Sequence, residues 1–431
     1  MSQNNGSQMR MLYGVNQADA CQAFAVGECS ERIQQNLRDI GSRIIRVFLY
    51  DKGAPDPVTE WPIFTSYVEA VLNIGAKPMI TFAKMHKPVN DLGAVQEFAD
   101  RSGEVIRRCI EQWGGEVARD WYWCVWNEPN NEWISGPVTF AEYRHIYLEI
   151  ANRCVSLLRP YLRGRKPLIG GPAVEGFQPF WMDWVWRFLN EIDNDLIGFV
   201  DWHYYGDWRE DGENNAPADA AAHRRLMMGL IGEYGTRART ISAMLKGRDI
   251  LNVCGELNCH SHYTQPVRER FNYSVFAAAF YTSAVLQLMR NGVDAEMYWV
   301  GTEDQGGYGM MNKRGDPWPS FHAKKLCAQY VRWGDTIWFP TGDSGNGSID
   351  AVVACGDGGR RSVLVVHQKE ESASYDLGHL VPGIAGLQTV LKIDEGSNNQ
   401  IARTNYDGKV HFEGFGVAAV TTEIPDGDLK P

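Results

Sequence analysis

Two glutamates stand where apolar runs give out. The run WYWCVWNE (121–128) is apolar and aromatic as far as Asn127 and Glu128, and Pro129 then bars a strand from continuing. The run ILNVCGELN (250–258) brings Glu256 to the end of ILNVCGE in the same way. Two carboxyl groups that face each other suit hydrolysis of a glycosidic bond. One, held protonated, gives its proton to the departing oxygen; the other, ionised, attacks the anomeric carbon or activates water. No single carboxyl can hold both states at once, so the surroundings must separate their pKa values. Glu132, further along the segment WNEPNNEW (126–133), falls in the following loop and reads as solvated or paired.

Residues 128 and 256 can meet only if the intervening chain folds back on itself. Eight short β-branched or aromatic runs recur: LYGVNQ (12–17), IIRVFLYD (44–51), KPMITFAK (77–84), WYWCVWNE (121–128), KPLIGGPAV (166–174), FVDWHYYGD (199–207), ILNVCGELN (250–258) and DAEMYWVGTE (294–303). Several are almost continuously apolar, as parallel strands covered on both faces are. They start about 40 residues apart, the size of a βα unit with room for loops. Helical patterns lie between them. Thr139 with Glu142 makes a capping box, and Tyr143, Ile146, Tyr147, Ile150, Cys154, Leu157 and Leu158 follow as one face. The stretch 272–292 reads as one long helix stopped by Asn291–Gly292. Eight such units predict an α/β fold, a (β/α)8 TIM barrel over 1–333. A doubly wound open sheet is the competing architecture, weakened by the lack of a Gly-rich fingerprint after the first strand. In a barrel, chemistry sits at the C-terminal ends of the strands, so Glu128 on the fourth and Glu256 on the seventh converge on one mouth.

Past 333 the pattern changes. SIDAVVAC and RRSVLVVHQ flank a Gly-rich turn as a hairpin, and LQTVLKI (387–393), KVHFEGF (409–415) and VAAVTTEI (417–424) continue as strands without long helices. Residues 334–431 are therefore expected to form a C-terminal all-β, sandwich-like accessory domain, to which the N-terminal residues can add a strand.

Composition narrows the partners. A net charge of −11 with no Lys/Arg cluster argues against nucleic acid. No apolar stretch reaches the about 18 residues that cross a bilayer. The opening MSQNNGSQMR lacks the apolar core of a secretory leader, which points to the cytoplasm, or to a secreted or periplasmic protein whose leader was removed. Fifteen Trp suit a protein that stacks flat apolar faces such as sugar rings. Nine Cys show no CxxC pair; Cys21 and Cys29 fall in one loop and could pair. Cys259, His260 and His262 offer metal donors, but without a second ligand pair at zinc spacing no metal is expected.

WNEPN closing the fourth strand, with GELN on the seventh, resembles clan A of the retaining glycoside hydrolases, and most resembles glycoside hydrolase family 39, which contains β-xylosidases, α-L-iduronidases and relatives. The resemblance implies that Glu128 is the general acid/base and Glu256 the nucleophile, with no cofactor. It gives Asn127 a hydrogen bond to the sugar 2-hydroxyl and Arg46 in IIRVF the task of orienting the nucleophile. His203 and Tyr205 in DWHYYGDW match a sixth-strand pair, with Tyr205 donating to Glu256; the strand period sets Tyr204 on the opposite face. Trp299 in MYWVG would floor the reacting sugar, with Trp133 extending the platform and His86 in FAKMHKP just past the third strand. Glu303, Asp304 and Trp208 are further candidates. From the residues alone Arg46 reads equally as a buried ion pair, Asn127 as a turn cap, His203 as a core histidine and Trp299 as barrel filling. The expectation is a retaining glycoside hydrolase acting on an oligo- or polysaccharide; a catalytically silent carbohydrate-binding barrel and a transglycosylase are the alternatives. Sugar, linkage, exo or endo action and oligomeric state stay open.

Overall fold

The structure, a computed structural model, describes residues 6–17, 21–50, 56–177, 179–303, 306–340, 348–381 and 384–423. Eight parallel strands close into a barrel in chain order. They are β1 (Leu12–Gln17), β2 (Ile44–Leu49), β3 (Lys77–Phe82), β4 (Tyr122–Val125), β5 (Ile169–Val174), β6 (Phe199–Asp207), β7 (Leu251–His260) and β8 (Ala295–Tyr298). The seam closes where Leu12 of β1 lies beside Ala295 of β8.

The period of two sorts each strand. Ile44, Met79, Tyr122, Phe199 and Val253 pack together as an apolar layer within the barrel. Two residues further along four of these strands, on the same face, stand Arg46, Thr81, Cys124 and Asp201, all buried. The barrel is therefore apolar toward its N-terminal end and polar and charged toward its mouth. That arrangement suits a fold whose lower lumen is packed solid and whose upper rim does chemistry.

Local signals act as the sequence requires in most places. The Thr139 hydroxyl accepts the Glu142 N–H, and the Glu142 carboxylate accepts the Thr139 N–H, which starts the helix Phe140–Leu162. The stretch 272–292 carries one long helix, Val275–Arg290, capped at Asn291 as expected, and a break separates it from the preceding helix Gln265–Asn272. The break falls at a residue needed elsewhere. Asn272 Nδ2 donates to the His260 and Gly307 carbonyls, and its Oδ1 accepts the Cys259 thiol. Strand β7 differs from expectation, because Glu256 does not end it. β6 and β7 run on past the barrel as a two-stranded ribbon, pairing Tyr205 with Asn258 and Asp207 with His260. Irregular register at Trp202/His203 and Cys254/Leu257 lets the ribbon leave the barrel while Glu256 stays opposite His203.

A seven-stranded antiparallel sheet stands beside the barrel, in the order Ser7–Gln8, Thr336–Trp338, Ile349–Cys355, Arg361–His367, Gly416–Thr421, Thr389–Asp394 and Ala402–Asn405. One face of it (Val352, Ala354, Leu364, Val366, Ala419) joins the barrel core, where Phe276 meets Phe415 edge-on at 5.1 Å. The other face (Val353, Val363, Val365, Val420) packs with Val410 and Phe412 from the small sheet Ala373–Asp376/Lys409–Phe412. No helix among the described residues is long and apolar enough to cross a membrane.

Candidate active site

Glu128 is aimed by the backbone that follows β4. Trp126 and Glu128 adopt left-handed φ values of 76° and 48°, so the chain leaves the strand direction at once. Neighbouring strands receive the freed amides: Trp126 N–H donates to Phe82 O and Asn127 N–H to Ala83 O beyond β3, and Glu128 N–H to Ala173 O on β5, each at 2.9 Å. Ser135 Oγ sits 3.1 and 3.0 Å from the Asn127 and Glu128 carbonyls and accepts Trp126 Nε1–H at 2.9 Å. Such φ values are uncommon for these residue types and persist only where the surroundings over-determine them, as these contacts do.

Glu256 comes from β7, on the far side of the mouth. One oxygen of Glu128, one ring nitrogen of His203 and one oxygen of Glu256 lie within 4.8 Å of one another. The two glutamates are buried, at 5 % and 4 % exposure. His203 Nδ1 lies near both, and Arg46 ties Glu256 to the residue before Glu128. Arg46 donates from Nη1 to Glu256 Oε1 (3.0 Å), from Nη2 to Asn127 Oδ1 (3.1 Å) and from Nε to Thr81 Oγ1 (2.8 Å). Tyr205 Oη donates to Glu256 Oε2 at 2.6 Å. His203 Nδ1 lies 2.9 Å from Glu128 Oε1, and its Nε2 faces Arg46 Nη1 at 3.2 Å. A guanidinium only donates, so Nε2 accepts, Nδ1 carries the hydrogen and the ring is neutral. Burial, which holds the His203 pKa down, agrees with that tautomer.

Both carboxyls are pushed up to about 7, chiefly by burial. Their charges oppose each other, so the protons belong to the pair. The donors decide which leaves first. Glu256 receives a guanidinium and a phenol; Glu128 receives the Asn131 side-chain amide (3.0 Å) and the neutral His203. Glu256 is the better-supported anion, and Glu128 the group that keeps its proton longer.

The remaining sequence-derived candidates divide. Trp299, half-buried, meets Phe48 edge-on at 5.5 Å, and Phe48 in turn carries Arg46 over its ring at 4.6 Å. His203 and Tyr205 turn inward together, while Tyr204 packs outward on Tyr234 at 4.9 Å. Trp133, on the short helix Glu132–Ser135, is 97 % exposed and makes no contact with the glutamates. His86 is exposed and lines a separate cavity with Tyr50, Lys84 and Arg101. Glu303 bonds Tyr273 and the Tyr308 amide and so ties down its own loop. Trp208 meets Phe177 edge-on at 6.4 Å; Asp304 lies outside the described residues. Cys29 is a free thiol, and the Cys21 side chain lies outside the described residues.

The donors of CHSHY go to separate partners. Cys259 bonds Asn272. His260 Nε2 donates to Arg209 O, and its Nδ1 accepts the His262 N–H. His262 Nδ1 accepts the Thr264 N–H, and its Nε2 faces Glu213 Oε2 at 3.7 Å. In the cluster Asp207–His223–His260, His223 spends its two nitrogens on Asp207 and Asp211.

No family model matches the chain. Among curated proteins it is similar to the beta-xylosidases of Geobacillus stearothermophilus and Caldicellulosiruptor saccharolyticus, 23 % identical to each over 336 and 288 residues, or 70 % and 61 % of this chain. The matched stretches span 62 % and 54 % of those relatives' own length. Among solved structures, the GH39 enzyme from Xanthomonas axonopodis pv. citri matches over 97 % of this chain and 95 % of its own, with TM-score 0.60 and 17 % identity. A monomeric beta-xylosidase from Caulobacter crescentus CB15 matches over 97 % and 98 %, with TM-score 0.64 and 15 % identity. The fold, a closed eight-stranded barrel with an appended antiparallel sheet, is the one these two solved structures share.

Within this barrel, sequence reasoning missed three residues that touch the cluster. Thr81 holds Arg46. Asn131 bonds Glu128 through Nδ2 while its Oδ1 caps the Trp133 amide. Asp201 lies beneath Arg46, with Oδ2 3.7 Å from Nη2. Asp201 was within reach of the strand period, two residues before His203; Asn131, in a loop, carried no such signal.

Proposed function

We propose that this protein is a retaining glycosidase in which Glu256 is the nucleophile and Glu128 the general acid and base. The observation that carries the reading is the asymmetry of the two buried carboxyls: Arg46 and Tyr205 both donate to Glu256, and neither donates to Glu128. Their oxygens, within 4.8 Å of one another, suit direct attack, for which carboxyl groups about 5–5.5 Å apart are typical, better than the about 6.5–9.5 Å that admits a water for inversion.

In the first step a Glu256 oxygen forms a bond to the anomeric carbon as the bond to the leaving oxygen breaks. The Glu128 proton passes to that oxygen. Glu128 is then a carboxylate and takes a proton from water; the water oxygen bonds to the anomeric carbon and Glu256 departs ionised. Arg46 and Tyr205 hold Glu256 in its attacking geometry, and Asn127, fixed by Arg46 Nη2, presents its amide to the sugar 2-hydroxyl. Trp299 offers an aromatic face to the sugar ring, and Trp133 and His86 belong to the outer binding surface. The relatives named beta-xylosidase make a β-linked xylose unit of an oligo- or polysaccharide the first substrate to test.

Aryl β-xylosides, with arabinosides, galactosides and glucuronides as comparators, give the assay. Glu256→Gln is expected to abolish release while the protein stays folded, and azide is expected to rescue Glu256→Gly with an inverted glycosyl azide as product. Undiminished turnover by Glu256→Gln would overturn the assignment.

A further inference from the structure

Beneath the two glutamates lies a third carboxylate with no part in the steps above. Asp201 is fully buried on β6. Its Oδ2 stands 3.7 Å from Arg46 Nη2 and accepts the Cys124 thiol at 3.5 Å. Its Oδ1 has no hydrogen-bond partner and lies 3.8 Å from His203 Nε2. Space is kept for it: a Cβ at Gly255, on the neighbouring strand, would sit 1.9 Å from Oδ1. A buried carboxylate oxygen without a donor is costly, so its persistence calls for a reason.

We infer that Asp201 is a positioning residue that divides the charge of Arg46 between two carboxylates and thereby keeps Glu128 protonated while Glu256 is ionised. The groups around Glu128 can be counted. Among the described residues, β2 supplies Arg46, a permanent cation; β4 supplies Cys124, and its following loop the neutral Asn131; β6 supplies Asp201, His203 and Tyr205; β7 supplies Glu256. With Glu256 and Asp201 both ionised, the single guanidinium is already over-matched, and a third negative charge on Glu128 is opposed. Without Asp201 the guanidinium would have one carboxylate and charge to spare for a second, and Glu128 would release its proton at lower pH. Burial raises Glu128 most and the Asp201 charge adds to it; Asp201 is also the largest of the charges that favour the Arg46 cation.

The meaning for catalysis rests on the glycosidase reading; the measurement does not. Protein carrying 13C at the glutamate δ-carbons is titrated by NMR without any substrate, with the two resonances assigned through Glu128→Gln and Glu256→Gln. Asp201→Asn and Asp201→Ser remove the same charge with different shapes. Both are expected to lower the Glu128 midpoint by about one pH unit, the scale of a nearby charge, and where a glycoside is turned over, the alkaline limb of kcat/KM moves down with it. An unmoved Glu128 midpoint in the folded variants, or a shift in one variant only, overturns the inference, because a space-filling role would follow shape and not charge. If one variant fails to fold, the other carries the measurement. If no glycoside is turned over at all, the proton titration still decides the role of Asp201, and only the enzymatic reading is lost.

Discussion

Tyr205→Phe removes one hydroxyl group and leaves the ring. The phenol donates to Glu256 Oε2 at 2.6 Å inside a buried cluster, and the ring stacks on Phe177 at 6.1 Å. A hydrogen bond to a charged group contributes about 1.5–3 kcal/mol, and at 1.36 kcal/mol per pH unit that is about one to two units of pKa. The phenol favours the ionised carboxylate, so its loss raises Glu256, which burial has already pushed up to about 7. In the proposed mechanism Glu256 must be ionised to attack, and Glu128 must be protonated. The acid limb of kcat/KM therefore climbs toward the alkaline limb, the active window narrows, and the peak falls by about 10- to 100-fold. The assay is kcat/KM for an aryl β-xyloside from pH 4 to 10, with Glu256→Gln as the blank. A variant within twofold of the parent, with its acid limb unmoved, would show that the phenol does not set the Glu256 charge.

Two further outcomes follow from the same geometry. Burial raises Glu128 from 4.5 to about 7, so its contribution to stability is complete below 4.5 and is lost as pH rises through 7. Glu128→Gln, which cannot ionise, should leave urea stability unchanged at pH 4 and increase it at pH 8 by up to about 3 kcal/mol; a gain that does not vary with pH would contradict this. Trp133, 97 % exposed, should be replaceable by Ala within about 0.5 kcal/mol of stability. If it stacks on an outlying sugar, KM for long oligosaccharides rises about 2- to 10-fold while a simple aryl glycoside is unaffected, and equal effects on both would remove it from the binding surface.

The barrel could be read from the sequence because parallel strands covered on both faces leave continuous apolar runs, and each of the eight runs contains a strand. Strand ends were less legible. Nothing in ILNVCGELN says that the strand continues to His260, because the continuation is a ribbon held by its partner β6 and not by the barrel. The long helix after it was legible, since Val275–Arg290 falls within the stretch 272–292, whereas the hold on Asn272 comes from backbone carbonyls 12 and 35 residues away in sequence. At the site, Glu128 and Glu256 stood out because charge at the end of an apolar run is conspicuous. Asp201 did not, since its neighbours His203 and Tyr205 drew the reading and its partner Arg46 is 155 positions upstream.

The strand Ser7–Gln8 lies just ahead of β1, and Thr336–Trp338, which it pairs with, follows the last barrel helix, Pro319–Tyr330. The outer sheet thus grips both edges of the cylinder's one non-sequential join, where β1 meets β8, like a hasp across a hoop. Loosening those outer strands would free the hoop to spring open at that join, and with it the circular spacing that keeps Arg46 within reach of Glu256.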